Sequence, residues 1–252
     1  MIRINNLSKS FSGHQVLKDI SVVFEPGITN LIIGQSGSGK TVLLKSIVGL
    51  HDVDEGEIWY GDVLFNKLNF IDKKEIRKEI GMLFQGSALF DSLTVEQNVR
   101  FPLDMFTDHG LEEKTERVNF CLNRVNIKNS NLLYPAELSG GMRKRVAIAR
   151  AISLNPKYLF CDEPNSGLDP LTAIVIDALI KELTEEYNMT TIINTHDMNS
   201  VMEIGEKILF ISDGLKCWEG NKNEILNSDC EKLNDFVFAN SFAKKLRDSI
   251  QA

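Results

Sequence analysis

The chain has 252 residues, of which 43% are hydrophobic and 25% are charged, which is typical of one globular domain with room for an inserted subdomain. The net charge of −7 argues against a general nucleic-acid-binding protein, because such proteins normally carry a basic face, and no nucleic-acid partner is expected. No run approaches the roughly 18 to 20 apolar residues that cross a bilayer, and the first residues resemble a strand rather than a signal peptide, so a cytoplasmic location is expected.

The first 85 residues consist of short apolar runs separated by turn signals. Strands are predicted at 2–4, 22–24, 29–33, 57–59 and 80–84. This pattern predicts the first part of an α/β core with an antiparallel β flank.

The segment from 86 to 155 changes to a helical pattern, in which Leu111, Val118, Leu122 and Val125 mark one face. It predicts an inserted helical subdomain. Strands are then predicted at 158–161 and 191–194, separated by a helix at 171–187, and this rhythm implies parallel strands. The expected units are 1–85 with 156–222 as the core, 86–155 as the helical subdomain, and 223–252 as a helical tail.

An octapeptide after the apolar run Leu31–Ile33 has the spacing of a phosphate-binding P-loop. Its residues are Gly34, Gln35, Ser36, Gly37, Ser38, Gly39, Lys40 and Thr41, and Val42 continues into a helical pattern. Such a loop points backbone N–H groups at an anion, and the helix that follows adds the positive end of its dipole. Lys40 is expected to reach the β- and γ-phosphates of a nucleotide, and the Thr41 hydroxyl to bind Mg²⁺.

Two adjacent carboxylates, Asp162 and Glu163, close the apolar run 159–161. One acid at such a position can hold Mg²⁺ while the next polarises the attacking water. Asp162 is therefore a candidate metal residue, and Glu163 is the candidate catalytic base.

The pentapeptide Leu138–Met142 resembles the signature sequence of the ATP-binding cassette (ABC) ATPases, and with the two motifs above it makes the chain similar to that family. Ser139 can cap the helix that follows, and the glycine backbone there allows a phosphate to approach. The resemblance implies a P-loop NTPase fold of the ABC type that binds ATP and Mg²⁺. It also implies that Ser139, Gly140 and Gly141 contact the nucleotide held by a second copy, in a head-to-tail dimer.

Four further residues match family positions, and their roles are implied only by the resemblance. Gln85 matches a glutamine that approaches Mg²⁺, and His196 matches a histidine that contacts the γ-phosphate. Asp169 matches a residue of the loop across the dimer interface, and Phe11 stands where the family has an aromatic residue that stacks on adenine.

A finer resemblance rests on the segment Gly86–Leu103 and on Met142, where many import cassettes have other residues. These positions are similar to the ATPases of Mla- and Mce-type lipid transporters. That likeness implies phospholipid transport through an integral-membrane permease, with an Mce-domain partner, at the cytoplasmic face of the inner membrane. An ATPase of a small-solute importer and a regulatory ATPase of the cell-division type are the alternatives.

Two groups of apolar residues each have two possible roles. Leu89, Phe90 and Leu93 either form a groove for a helix of the permease or pack inside the helical subdomain. Phe236, Phe238 and Phe242 either dock on the chain's own core or clasp the partner copy, and the clasp is the preferred interpretation.

Overall fold

The computed structural model of the chain describes residues 1–239. Its strands are β1 (Ile2–Phe11), β2 (His14–Phe24), β3 (Thr29–Ile33), β4 (Glu55–Tyr60), β5 (Val63–Leu64), β6 (Ile80–Leu83), β7 (Tyr158–Asp162), β8 (Thr190–Thr195), β9 (Lys207–Ser212) and β10 (Leu215–Gly220). Its α-helices are α1 (Lys40–Ile47), α2 (Phe70–Lys78), α3 (Val95–Phe106), α4 (Leu111–Arg124), α5 (Gly140–Ala151), α6 (Pro170–Glu186), α7 (Met198–Ile204) and α8 (Glu231–Val237).

A six-stranded sheet with the order β10-β9-β3-β8-β7-β6 forms the centre of the fold. Its strands are parallel except for β10, which pairs antiparallel with β9. Every residue of β3, β7 and β8 is buried, as expected for parallel strands that are covered on both faces. Because these strands run in the same direction, the chain leaves all three at the same edge of the sheet.

A second, antiparallel sheet has the order β2-β1-β4-β5 and forms the predicted flank. Its apolar residues, such as Ile2 and Ile4, share one core cluster with Ile192 and Leu209 of the central sheet. Helix α1 contributes Leu43, Leu44 and Ile47 to the same cluster, and Val48, which follows the helix, also belongs to it. The helix that follows the phosphate loop is therefore held by both sheets.

The segment from 86 to 155 folds as the helices α3, α4 and α5, which pack on the other face of the central sheet. Thr94 and Gln97 form a capping box at the start of α3. Val118, Leu122 and Val125 are buried as predicted, but Leu111 is 67% exposed. Leu111 is the first residue of α4, so its side chain lies at the helix end and not over the core.

The described part of the tail docks on the chain's own core. Leu233 and Val237 of α8 are buried, as is Phe238, and the ring of Phe236 lies 5.6 Å from that of Phe210 between centroids. Phe238 is buried within the chain and Phe236 is partly buried against Phe210, so for these two residues the structure favours docking on the chain's own core over the preferred clasp on the partner. Phe242 lies outside the described residues.

Among residues 1–239, none of the helices has both the length and the apolar character needed to span a membrane. The four cysteines are free thiols, and Cys121 and Cys161 are buried.

Candidate nucleotide-binding and catalytic site

The phosphate loop, the pair Asp162-Glu163 and His196 meet at the carboxyl edge of the central sheet. Strand β3 leads directly into Gly34, β7 into Glu163, and β8 into His196. Open α/β sheets bind ligands at this edge, because the loops after neighbouring parallel strands converge there. The parallel pairing of β3, β8 and β7 thus brings three distant segments of the sequence to one place.

The loop from Gly34 to Thr41 needs glycine at two positions for reasons of packing. A Cβ at Gly34 would lie 2.2 Å from the backbone oxygen of Ile211, and one at Gly39 would lie 2.9 Å from Leu17 Cδ2. Gly39 also has a φ of +106°, in the left-handed region that favours glycine. The backbone of the loop therefore lies directly against β2 and β9, which fixes its shape.

Lys40 begins α1, and its ammonium is drawn back over the loop. Its Nζ donates to the carbonyl oxygens of Gly34 and Gln35, at 3.0 Å each. Burial lowers the pKa of Lys40, while the negative charges of Glu163 and Asp162 oppose that shift. The side chain is thus a cation placed between the loop and two carboxylates, where phosphate oxygens would be stabilised.

The remaining loop residues lie around this centre. Gln35, Ser36 and Thr41 line an open cavity of about 1100 Å³ with Gln85, Glu163 and His196. Ser38 is buried, and its hydroxyl oxygen has no hydrogen-bond partner among the described residues. Val42 packs against the core between the two sheets.

Thr41 and Asp162 form the candidate magnesium site together with Asn194. Thr41 Oγ1 lies 3.3 Å from Asp162 Oδ1, and Asn194 Nδ2 donates to both atoms, at 3.0 Å and 2.6 Å respectively. Hydroxyl and carboxylate oxygens are hard ligands of the type that Mg²⁺ prefers, so the donor set fits this cation. Asn194 was missed by the sequence analysis, although a polar residue in the apolar run 191–194 was the available signal.

Glu163 is the residue to which the other candidate catalytic groups connect. Its backbone has a φ of +48°, which is uncommon for a residue other than glycine, and its N–H donates to the Asn194 carbonyl oxygen at 2.9 Å. Gln85 Nε2 donates to Glu163 Oε2 at 2.8 Å, and His196 Nδ1 lies 3.1 Å from Glu163 Oε1. The carboxylate is thereby held from two sides at the mouth of the cavity.

Lys144 also belongs to this arrangement and was missed. The sequence analysis gave its position no weight, yet the side chain is only 4% exposed. Its ammonium donates to the backbone oxygen of Gln85 and lies 3.5 Å from that of Glu163. One buried cation of α5 therefore ties together the two segments that carry Gln85 and Glu163.

The signature residues line a second cavity, of about 660 Å³, whose lining contains no residue of the phosphate loop. Ser139 caps α5 as predicted, because its hydroxyl oxygen accepts from Met142 N at 3.2 Å. Gly140 and Gly141 open this helix, and a Cβ at Gly141 would lie 2.8 Å from Thr172 Cγ2. Asp169 also lines this cavity.

Asp169 caps α6 by accepting hydrogen bonds from both the N–H and the hydroxyl of Thr172. These bonds, led by that from the hydroxyl, hold the pKa of Asp169 below its usual range. The carboxylate therefore stays charged beside the signature helix.

The ring of Phe11 contacts His51 and Lys9 rather than the phosphate loop. It is 39% exposed at the end of β1 and meets the ring of His51 edge-on, with 5.3 Å between centroids. The Lys9 ammonium lies 5.1 Å from its ring centre. Stacking of Phe11 on adenine stays a prediction.

The fold and this set of residues define a P-loop ATPase with a second phosphate-binding motif on the same chain. The sequence profile of the ABC transporter family matches residues 17–166. The chain therefore belongs to the ABC transporter family, as an ATP-binding subunit that hydrolyses ATP, with Mg²⁺ as its cofactor, in support of transport.

Similar proteins share most of the chain. The methionine import ATP-binding protein MetN of Campylobacter jejuni is 36% identical across 96% of this chain and 77% of its own length. The sulfate/thiosulfate import ATP-binding protein CysA of Synechocystis is 36% identical across 89% of this chain and 61% of its own length. These relatives do not support the predicted Mla- or Mce-type subtype.

Solved structures agree with the fold. The dimeric ATP-binding cassette MJ0796 bound to ADP and Pi has a TM-score of 0.81 at 33% identity, over 88% of this chain and 99% of that one. The protein cbiO1 of Clostridium perfringens, part of the complex cbiONQ, has a TM-score of 0.84 at 27% identity, over 100% of this chain and 98% of that one.

Proposed function

We propose that this chain energises an ABC importer of a small solute, working as a head-to-tail dimer beneath an integral-membrane permease at the cytoplasmic face of the inner membrane. The solute class is supported by relatives whose names state import of methionine and of sulfate or thiosulfate. The observation that carries the ATPase chemistry is the convergence of Lys40, Asp162 and Glu163 at one edge of the sheet.

The dimer follows from the two separate cavities. Residues of the phosphate loop line one of them, and Ser139 and Gly141 line the other; in the part of the chain that the structure describes, Gly167 alone lines both. Each cavity offers one half of a phosphate site, because each holds the N-terminus of a helix. Two copies arranged head to tail would close the loop of one chain against the signature of the other. The solved cassette MJ0796 is a dimer in two structures, which supports this arrangement.

In the closed site Glu163 would orient the attacking water and accept its proton, while Gln85 and His196 hold the carboxylate in place. Lys40 would leave its two backbone oxygens to bind the β- and γ-phosphates. Thr41 and Asp162 would hold Mg²⁺, with Gln85 as a further candidate that lines the same cavity, and the cation would supply positive charge to the same phosphates. The N–H groups at the start of α5 of the other copy would complete the shell around the transferred phosphoryl group.

The permease would dock on the helical segment 86–155. Phe90, Phe101 and Phe106 are each at least 36% exposed and line an apolar groove of about 410 Å³. Arg150 of α5 shapes this groove, because its guanidinium donates to the carbonyl oxygens of Ser87 and Ala88 at 2.8 and 2.7 Å. Arg77 also lines this groove, and an apolar groove that carries basic side chains suits a short amphipathic helix.

The test is to tag the chain in its native cell, solubilise the membranes in mild detergent, and identify what copurifies. The proposal predicts that a polytopic permease copurifies, and that the ATPase activity of the chain in this complex rises with a small solute and its binding protein. Recovery of an Mce-domain protein with phospholipid would instead assign phospholipid transport. Recovery of division proteins would assign a regulatory role, and both of these results would contradict small-solute import.

A further inference from the structure

Asn194 is a fully buried amide on the face of the central sheet that packs against α1. It is 0% exposed near the end of β8. Side chains alternate along a strand, so Asn194 shares its face with Ile192, which belongs to the core cluster around α1. On the neighbouring strand β7, Phe160 belongs to the same cluster, and Asp162 follows it on the same face. The two polar residues are direct partners in the strand register.

The amide nitrogen of Asn194 organises the candidate magnesium site. It donates to Asp162 Oδ1 at 2.6 Å and to Thr41 Oγ1 at 3.0 Å. The reverse orientation of the amide would place its oxygen against a carboxylate, which is repulsive, so the nitrogen has to face Asp162. With the 3.3 Å contact between Thr41 and Asp162, the three side chains form a closed triangle.

The amide oxygen of Asn194 has no hydrogen-bond partner among residues 1–239. A buried carbonyl oxygen without a partner opposes folding, so packing alone does not explain an amide at this position. The reason for an amide at this position is therefore its nitrogen, which contacts both candidate magnesium residues.

We propose that Asn194 is a further residue of the magnesium site. Its Nδ2 fixes the Thr41 hydroxyl and the Asp162 carboxylate in position for the cation. This inference rests on the proposed function, because it takes Thr41 and Asp162 as the residues that hold the cation. Asn194 acts through these two groups and is therefore a positioning residue.

The test compares Asn194→Val with Asn194→Thr, which have nearly the same shape but differ in one hydroxyl group. The dissociation constant of a fluorescent, non-hydrolysable ATP analogue is measured with excess Mg²⁺ and with excess EDTA. The effect of Mg²⁺ is the ratio of the dissociation constant in EDTA to that in Mg²⁺. Asn194→Val is expected to lower this ratio about tenfold, equivalent to about 1.4 kcal/mol. Asn194→Thr is expected to keep more of the effect of Mg²⁺ than Asn194→Val does, because its hydroxyl can still donate to Asp162.

Ile192→Val serves as the control, because it removes one methylene group from the same face of the same strand. It should leave the effect of Mg²⁺ as in the unchanged protein. The inference is overturned if Asn194→Val keeps the full effect of Mg²⁺, if the two Asn194 variants lose it equally, or if affinity in EDTA falls as much as affinity in Mg²⁺. If the unchanged protein itself binds the analogue no better with Mg²⁺ than with EDTA, the proposed function fails.

Discussion

Replacing Lys144 by methionine removes the buried cation that joins the segments of Gln85 and Glu163. The ammonium donates to the Gln85 backbone oxygen and is close to that of Glu163. A hydrogen bond to a charged group is worth about 1.5–3 kcal/mol, but burying the ammonium opposes folding, as its lowered pKa shows. Methionine has a similar length and no charge, so the free energy of unfolding should change by only about 1 kcal/mol.

The effect on turnover should be larger than the effect on stability. Without the shared anchor, the Gln85 and Glu163 side chains lose their fixed separation, and a displacement of about 1 Å in an active site can cost about a hundredfold in rate. We therefore expect kcat for ATP to fall by about tenfold to a hundredfold in Lys144→Met, with nucleotide affinity nearly unchanged.

The assay is steady-state ATPase activity, with nucleotide binding and thermal unfolding measured on the same preparations. Lys157→Met is the matched control, because it removes an exposed lysine whose one ion pair within residues 1–239 is with Glu79. A kcat within about twofold of the unchanged protein would refute this reasoning, as would a loss of nucleotide affinity equal to the loss of kcat.

Two further changes test the structural account. Gly141→Ala should destabilise the fold by about 1–3 kcal/mol in thermal unfolding, because its Cβ would overlap Thr172, whereas Gly140→Ala meets only Leu168 Cδ2 at 3.6 Å and should be tolerated. Asp177 is buried, and burial raises its pKa to about 6, so the folded state favours the protonated form and stability falls as the pH rises from about 4 to about 6. Asp177→Asn should therefore raise the free energy of unfolding by about 3 kcal/mol at pH 8 and leave it nearly unchanged at pH 4, and equal gains at both pH values would contradict this.

Local motifs account for what the sequence predicted well. The phosphate loop and the pair Asp162-Glu163 are each a run of consecutive residues. For each of them, a short stretch of sequence contains all of its residues and also the strand that precedes it. The lengths of β1 and β2 were underestimated, because polar residues alternate with apolar ones beyond the predicted cores at 2–4 and 22–24. Strands β9 and β10 were missed, since no chemical motif drew attention to them.

The missed site residues depend on distant partners. Asn194 meets Thr41 from 153 positions along the chain, and Lys144 meets Gln85 from 59 positions away. Neither contact can be seen as a pattern of nearby residues in the sequence, because each contact depends on which strands and helices become neighbours in the fold. Phe236 is a third example. The sequence alone did not distinguish docking on the chain itself from a clasp on a partner, and the contact of Phe236 with Phe210 favours docking.

The central claim is that Glu163 drives ATP hydrolysis in a dimer closed by nucleotide, and Glu163→Gln tests it most directly. Glutamine keeps the shape of the side chain and can still bond to Gln85, so ATP binding should be unchanged. Turnover should fall by at least about a hundredfold, because the amide cannot accept the proton of water, and an ATP-bound dimer should accumulate in size-exclusion chromatography with light scattering. Undiminished ATPase activity in this variant would contradict the account.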